Sequence, residues 1–106
     1  MTLVVMKAEV PREQWEALTR AFDEVMENRP DGIVESILAQ DQHDPTLWRI
    51  ITIWESQAAL DAYSASYALI PGAQVFHLVG VTPIAMVNEV FGYVQGKDAD
   101  PWSLEA

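Results

Sequence analysis

The chain has 106 residues, half of them hydrophobic and 21% charged, which describes one domain with a packed core rather than a disordered chain. It contains no cysteine, and that excludes disulfide scaffolds, thiolate metal sites and cysteine nucleophiles together. Sixteen acidic against six basic residues give a formal charge of −10, a surface that repels phosphate backbones and anionic lipid, so neither nucleic acid nor membrane is expected as a partner. Met1 to Met6 is apolar but too short for a signal sequence, and no apolar run is long enough to span a bilayer. The compartment expected on these grounds is the cytoplasm.

Residues 2–10 are apolar and β-branched and predict a first strand, ended by Pro11. Proline suits the first turn of a helix, and Trp15, Leu18, Phe22 and Val25 recur at three- and four-residue spacing, with Met26 beside them. That pattern predicts an amphipathic helix over residues 11–28, stopped by Pro30 and Gly32. Residues 32–40 and 46–54 read as two strands of a hairpin around the polar turn Asp41-Gln42-His43-Asp44-Pro45. Ser56 caps a second helix that carries Leu60, Tyr63 and Tyr67 on one face. After the Pro71-Gly72 break, a short helix over Ala73–Val79 ends at Gly80, and Pro83 opens a last strand from Ile84 to Val94.

The order β-α-β-β-α-(short α)-β predicts an α+β, ferredoxin-like, four-stranded antiparallel sheet with two main helices on one face. Residues 1–94 form the domain, and residues 95–106 a tail or arm.

Strand alternation allows each face of this sheet to be enumerated. The third strand shows Trp48, Ile50, Thr52 and Trp54 on one side, and Leu47, Arg49, Ile51 and Ile53 on the other. The second shows Ile33, Glu35, Ile37 and Ala39 against Val34, Ser36, Leu38 and Gln40. Neither face of the sheet is polar enough to be solvated, and helices on one side cover only that side. Covering even ~800 Å² of apolar surface is worth on the order of 20 kcal/mol gross, before association costs. A second copy packed sheet on sheet about a two-fold axis is the expected cover, and a homodimer the expected state. The alternative is a monomer whose C-terminal arm folds back with Trp102 and Leu104.

The run Trp54-Glu55-Ser56-Gln57-Ala58-Ala59-Leu60-Asp61-Ala62-Tyr63, directly after a β-branched strand, resembles the helix start of antibiotic biosynthesis monooxygenase domains. With the element order, the resemblance extends over residues 2–94. It implies a dimeric α/β barrel with a pocket between sheet and helices, open to a flat aromatic ligand. It also implies oxidation of a phenol-, anthrone- or quinol-type substrate by O₂ without metal or flavin, the deprotonated substrate supplying the electrons. Relatives that degrade haem use a first-strand asparagine and a helical histidine. Here the first strand has no asparagine and Ala73 stands at the histidine position, so the resemblance does not extend to haem. No cofactor is expected.

In that frame the acid–base candidates are His77 and Tyr63. An imidazole titrates near working pH, which suits a proton acceptor; the plainer reading of His77 is a partly buried ring bonded to a carbonyl. Tyr63 and Tyr67 offer phenol hydroxyls, or are simply core. Trp48 and Trp54 share a strand face but stand ~20 Å apart, so one lines a pocket and the other serves core or rim. Arg49 and Asn88 are polar residues in apolar strands; each meets a ligand or an internal partner such as Glu35 or Glu89. The Asp41–Asp44 turn, with one histidine, reads as a solvated loop rather than a metal site. A dimeric ligand-binding protein of the same fold, without catalysis, is the competing reading.

Overall fold

The computed structural model describes residues 1–96. Trp102 and Leu104, named above for a returning arm, lie outside the described residues. The elements run β1 (Thr2–Glu9), a 3₁₀ turn (Arg12–Gln14), α1 (Trp15–Glu27), β2 (Ile33–Gln40), β3 (Leu47–Trp54), α2 (Gln57–Ser66), α3 (Pro71–Leu78) and β4 (Ile84–Glu89). The strands form one antiparallel sheet in the order β2-β3-β1-β4, the ferredoxin-like arrangement predicted from the pattern.

Register decides which side chains share a face. Thr2, Val4, Met6 and Ala8 of β1 stand opposite Trp54, Thr52, Ile50 and Trp48 of β3, and together they make the floor under the helices. Val4, Ile50 and Trp54 are fully buried there, against Leu18 of α1 and Val75 and Phe76 of α3. The reverse face carries Leu3, Val5, Ile51 and Ile53; the row of Val5 and Ile51 continues to Ile37 on β2 and Met86 on β4, while Ile84 of β4 stands in the next row, beside Lys7 and Arg49.

Three expectations are corrected. A register shift between Ile33 and Glu35 interrupts the alternation of β2: Ile33 stands opposite Trp54 in the core, with Ser36, Leu38 and Gln40, while Glu35 falls on the reverse face. The second helix covering the sheet is α3 rather than α2. Pro71, Gly72, Ala73, Val75 and Phe76 of α3 are all buried, whereas α2 buries only Leu60. The composition of α2, Gln-Ala-Ala-Leu-Asp-Ala-Tyr-Ser-Ala-Ser, leaves it little apolar bulk to bury. Finally, β4 ends at Glu89 rather than Val94. Val90 N–H still donates to the Met1 carbonyl at 3.0 Å, and the chain then leaves the ladder. Tyr93 reaches Glu35 on the opposite edge strand, its hydroxyl donating to Oε2 at 3.1 Å, so the segment after β4 crosses one end of the reverse face.

The helix layer stops at β1. All six residues of β4 are exposed, Val87 on the helix side and Ile84 and Met86 on the reverse side.

Candidate functional site

At the end of the sheet where β3 hands over to α2, the chain assembles an aromatic ladder. Trp54 closes β3 and is 1% exposed. Ser56, extended at the helix entrance, accepts the Ala59 N–H through Oγ at 3.0 Å and so starts α2 at a fixed point. Helical spacing then places Tyr63 over Trp54, with ring centroids 5.7 Å apart. One turn on, Tyr67 stacks on Tyr63 at 4.5 Å and 20° between planes. Tyr67 is 57% exposed, so the ladder runs from the core to solvent.

Polar groups edge this ladder. Gln74 Nε2, from α3, donates to the Tyr63 hydroxyl and to the Leu69 carbonyl, each at 2.8 Å. In the same row of the sheet as Trp54 lie Thr2 and then Glu89. Thr2 Oγ1 donates to Gln57 Oε1 at 3.4 Å, and Gln57 Nε2 donates to Asp61 Oδ1 at 2.9 Å. The indole N–H of Trp54 is buried without an acceptor among the described residues, as is that of Trp48. Such an arrangement can stack a flat ring, donate hydrogen bonds to its oxygens and keep one side of it dry. Sequence reading passed over Gln74, Gln57 and Thr2. For Gln74 a signal existed: a polar residue inside the apolar run Ala73-Gln74-Val75-Phe76 needs a partner.

The other candidates are distributed as follows. Trp48 lies on the same face as Trp54 but at the far end of β3, edge-on to Trp15 at 6.0 Å, in the core. Trp15 in turn donates Nε1–H to the Val10 carbonyl at 2.8 Å. His77 sits exposed in the last turn of α3, with no side-chain hydrogen bond among the described residues. Asn88 is exposed on the reverse face, in the row of Leu3 and Ile53. Arg49, on that face too, finds an internal partner, Asp41, at 2.9 Å, rather than Glu35 or Glu89. Asp41 also accepts the backbone N–H groups of His43 and Asp44. Arg49 first, then these amides, hold its carboxyl down at about 2. The structure therefore brings Trp54, Tyr63 and Tyr67 together, and sets Arg49 and Asn88 on the other side of the sheet.

A separate groove of about 360 Å³ lies between the end of α1 and the start of β2, lined by Glu27, Arg29, Pro30, Asp31 and Ile33. No candidate residue faces it.

Residues 1–77 match the family model described as antibiotic biosynthesis monooxygenase. Among solved structures, a proposed antibiotic biosynthesis monooxygenase of Deinococcus radiodurans superposes with a TM-score of 0.70 at 12% identity, over 90% of this chain and 97% of that one. One of Chloroflexus aurantiacus gives 0.62 at 22% identity, over 90% and 98%. Rv0793 from Mycobacterium tuberculosis gives 0.65 at 18% identity, over 89% and 98%. At these identities the likeness establishes the fold alone. No curated protein matches the chain.

Proposed function

Because the chain belongs to the antibiotic biosynthesis monooxygenase family, we propose that it oxidises a small aromatic of the phenol, anthrone or quinol type with O₂, without a resident cofactor, in a site walled by Trp54, Tyr63 and Tyr67. The carrying observation is the ladder of these three rings, opening to solvent at Tyr67, with a hydrogen-bonded phenol in its middle. For an anthrone, loss of a ring proton gives a delocalised anion that can pass an electron to O₂. One oxygen atom becomes the new carbonyl, and the other leaves as water with the two methylene hydrogens. The chain's share is to stack the ring, hold its oxygen through Tyr63, and accept the proton, the role proposed for His77. Trp48, at the far end of β3, and Arg49 and Asn88, across the sheet, stand apart from this ladder and take no part in the proposed contact with the ring.

The reading includes a homodimer built on that reverse face. Ile37 and Met86 are 45% and 49% exposed in the single chain, in one row with Val5 and Ile51, and Ile84 is 64% exposed. The Tyr93 segment crosses only one end. A contiguous apolar surface of that kind is what an isologous sheet-on-sheet contact covers.

Oxygen uptake with a panel of anthrones and quinols tests the activity. Turnover is expected with at least one of them, and Tyr63→Phe should lower kcat/KM by roughly ten- to a hundredfold. Undiminished turnover in His77→Ala would remove that residue as the base. The competing reading, a ligand-binding protein without turnover, draws on one observation: His77 is exposed and makes no side-chain hydrogen bond among the described residues. Saturable aromatic binding with no oxygen uptake across the panel would establish it.

A further inference from the structure

We infer that Gln74 fixes the polarity of Tyr63, so that its hydroxyl serves as a donor to an aromatic ligand presenting an acceptor oxygen: a quinone or ketone carbonyl, or a phenolate. The inference rests on the proposal that the Trp54–Tyr63–Tyr67 ladder meets an aromatic ligand, and it names the group on that ligand which the site reads.

The Gln74 amide can sit in only one orientation. A backbone carbonyl only accepts, so the amide atom 2.8 Å from the Leu69 oxygen must be the nitrogen, and the side chain cannot sit the other way round. That nitrogen carries a second hydrogen, and the atom 2.8 Å away in its reach is the Tyr63 hydroxyl oxygen. The phenol is therefore the acceptor in this bond. Its own hydrogen has to point elsewhere, and among the described residues the Tyr63 hydroxyl donates no hydrogen bond. A phenol otherwise serves as donor or acceptor with equal ease and discriminates poorly between ligand groups. With its accepting side engaged by Gln74 it discriminates. Leu69 lies in the connection between α2 and α3, so one amide ties the aromatic face of α2 to α3 and orients the hydroxyl at the same time. Gln74 is thus a positioning residue that acts through Tyr63.

Two probes of similar area separate this role from plain packing: naphthoquinone, which carries acceptor oxygens, and naphthalene, which carries none. The chain has no thiol to add to the quinone. Binding to the 106-residue chain is measured by equilibrium dialysis. The native chain should prefer naphthoquinone, and Tyr63→Phe should cut that preference by ~3–10-fold while leaving naphthalene nearly unchanged. Gln74→Glu should do the same, since a carboxylate takes the Tyr63 proton for itself. Adding Gln74→Glu to Tyr63→Phe should then reduce the preference no further, the signature of two residues acting through one hydroxyl. Gln74→Met, close in shape and uncharged, guards against a folding defect; it frees the hydroxyl to rotate and should lower the preference part of the way. If the Gln74 variants weaken both probes equally, or leave the preference intact, Gln74 only packs, and the inference fails while the aromatic site stands. If neither probe binds saturably, the site proposal fails and takes the inference with it.

Discussion

Two polar residues illustrate how far a single side chain can be read from its neighbours in sequence. Ser56 is local information: an extended serine before an Ala-rich stretch is a helix start, and its Oγ accepts the Ala59 N–H as expected. Ser56→Ala should cost about 1 kcal/mol in urea unfolding, and Ser56→Asp close to nothing. Arg49 is different. Its need for a partner is legible, but the choice of Asp41 over Glu35 is set by hairpin register: Ala39 stands opposite Arg49, so Asp41 lies beside it, whereas Glu35 stands opposite Ile53. The consequence is a pH dependence with a definite sign. Asp41 is held at about 2 against an ordinary 3.8, chiefly by the Arg49 hydrogen bond, so its contribution is complete above the ordinary value and disappears as pH falls through 2. Asp41→Asn should therefore be less stable than the native chain near neutral pH. The two should converge at the acid end of that interval, as urea midpoints taken across pH would reveal.

Except at the end of β4, helix and strand boundaries followed closely from proline, glycine and periodicity, but the weight each element carries did not. The alternation of β2 predicted Ile33 beside Glu35; the register shift between them sends Ile33 to the core instead. One reason for tight packing here is Gly32. A methyl group at that position would sit 2.9 Å from Ala59 Cβ and 3.3 Å from Trp54 Cε3. Gly32→Ala is thus expected to destabilise by ~1–3 kcal/mol. Adding Ala59→Gly should return part of that loss, less the ~1 kcal/mol a helical glycine costs. If the second change gives nothing back, the contact between this turn and α2 is not the cause. The exchange of roles between α2 and α3 has a similar origin. Tyrosine spacing marked α2 as a helix with an aromatic stripe, and that stripe exists. The bulk that fills the core nevertheless comes from Val75 and Phe76 on the shorter α3.

For the molecule as a whole, the apolar reverse face remains the dominant physical fact. It follows from alternation in strands that carry apolar residues on both faces, and the single chain does leave Ile37, Ile84 and Met86 substantially exposed. The proposed homodimer makes this testable by sedimentation. The native chain should run as a dimer at micromolar concentration, and Ile51→Lys, at the middle of that face, should run as a folded monomer. Unaltered sedimentation in the variant would place the contact elsewhere. A monomeric native chain would leave the Tyr93 segment and the residues after it as the cover.

What the sequence determined by itself is everything set by short-range chemistry: the element order, the helix cap, the two apolar faces, and from them a four-stranded antiparallel sheet with helices on one side. Family membership, too, was foreshadowed in the ten residues from Trp54 to Tyr63. Tertiary structure decided what depends on register and on which surfaces meet. It placed Arg49 and Asn88 across the sheet from the tyrosines, turned the chain after Glu89 over the reverse face, and drew Gln74 to Tyr63 from eleven residues away. Periodicity says which side of its own element a residue occupies. Only the packing of one element on another says what stands opposite it.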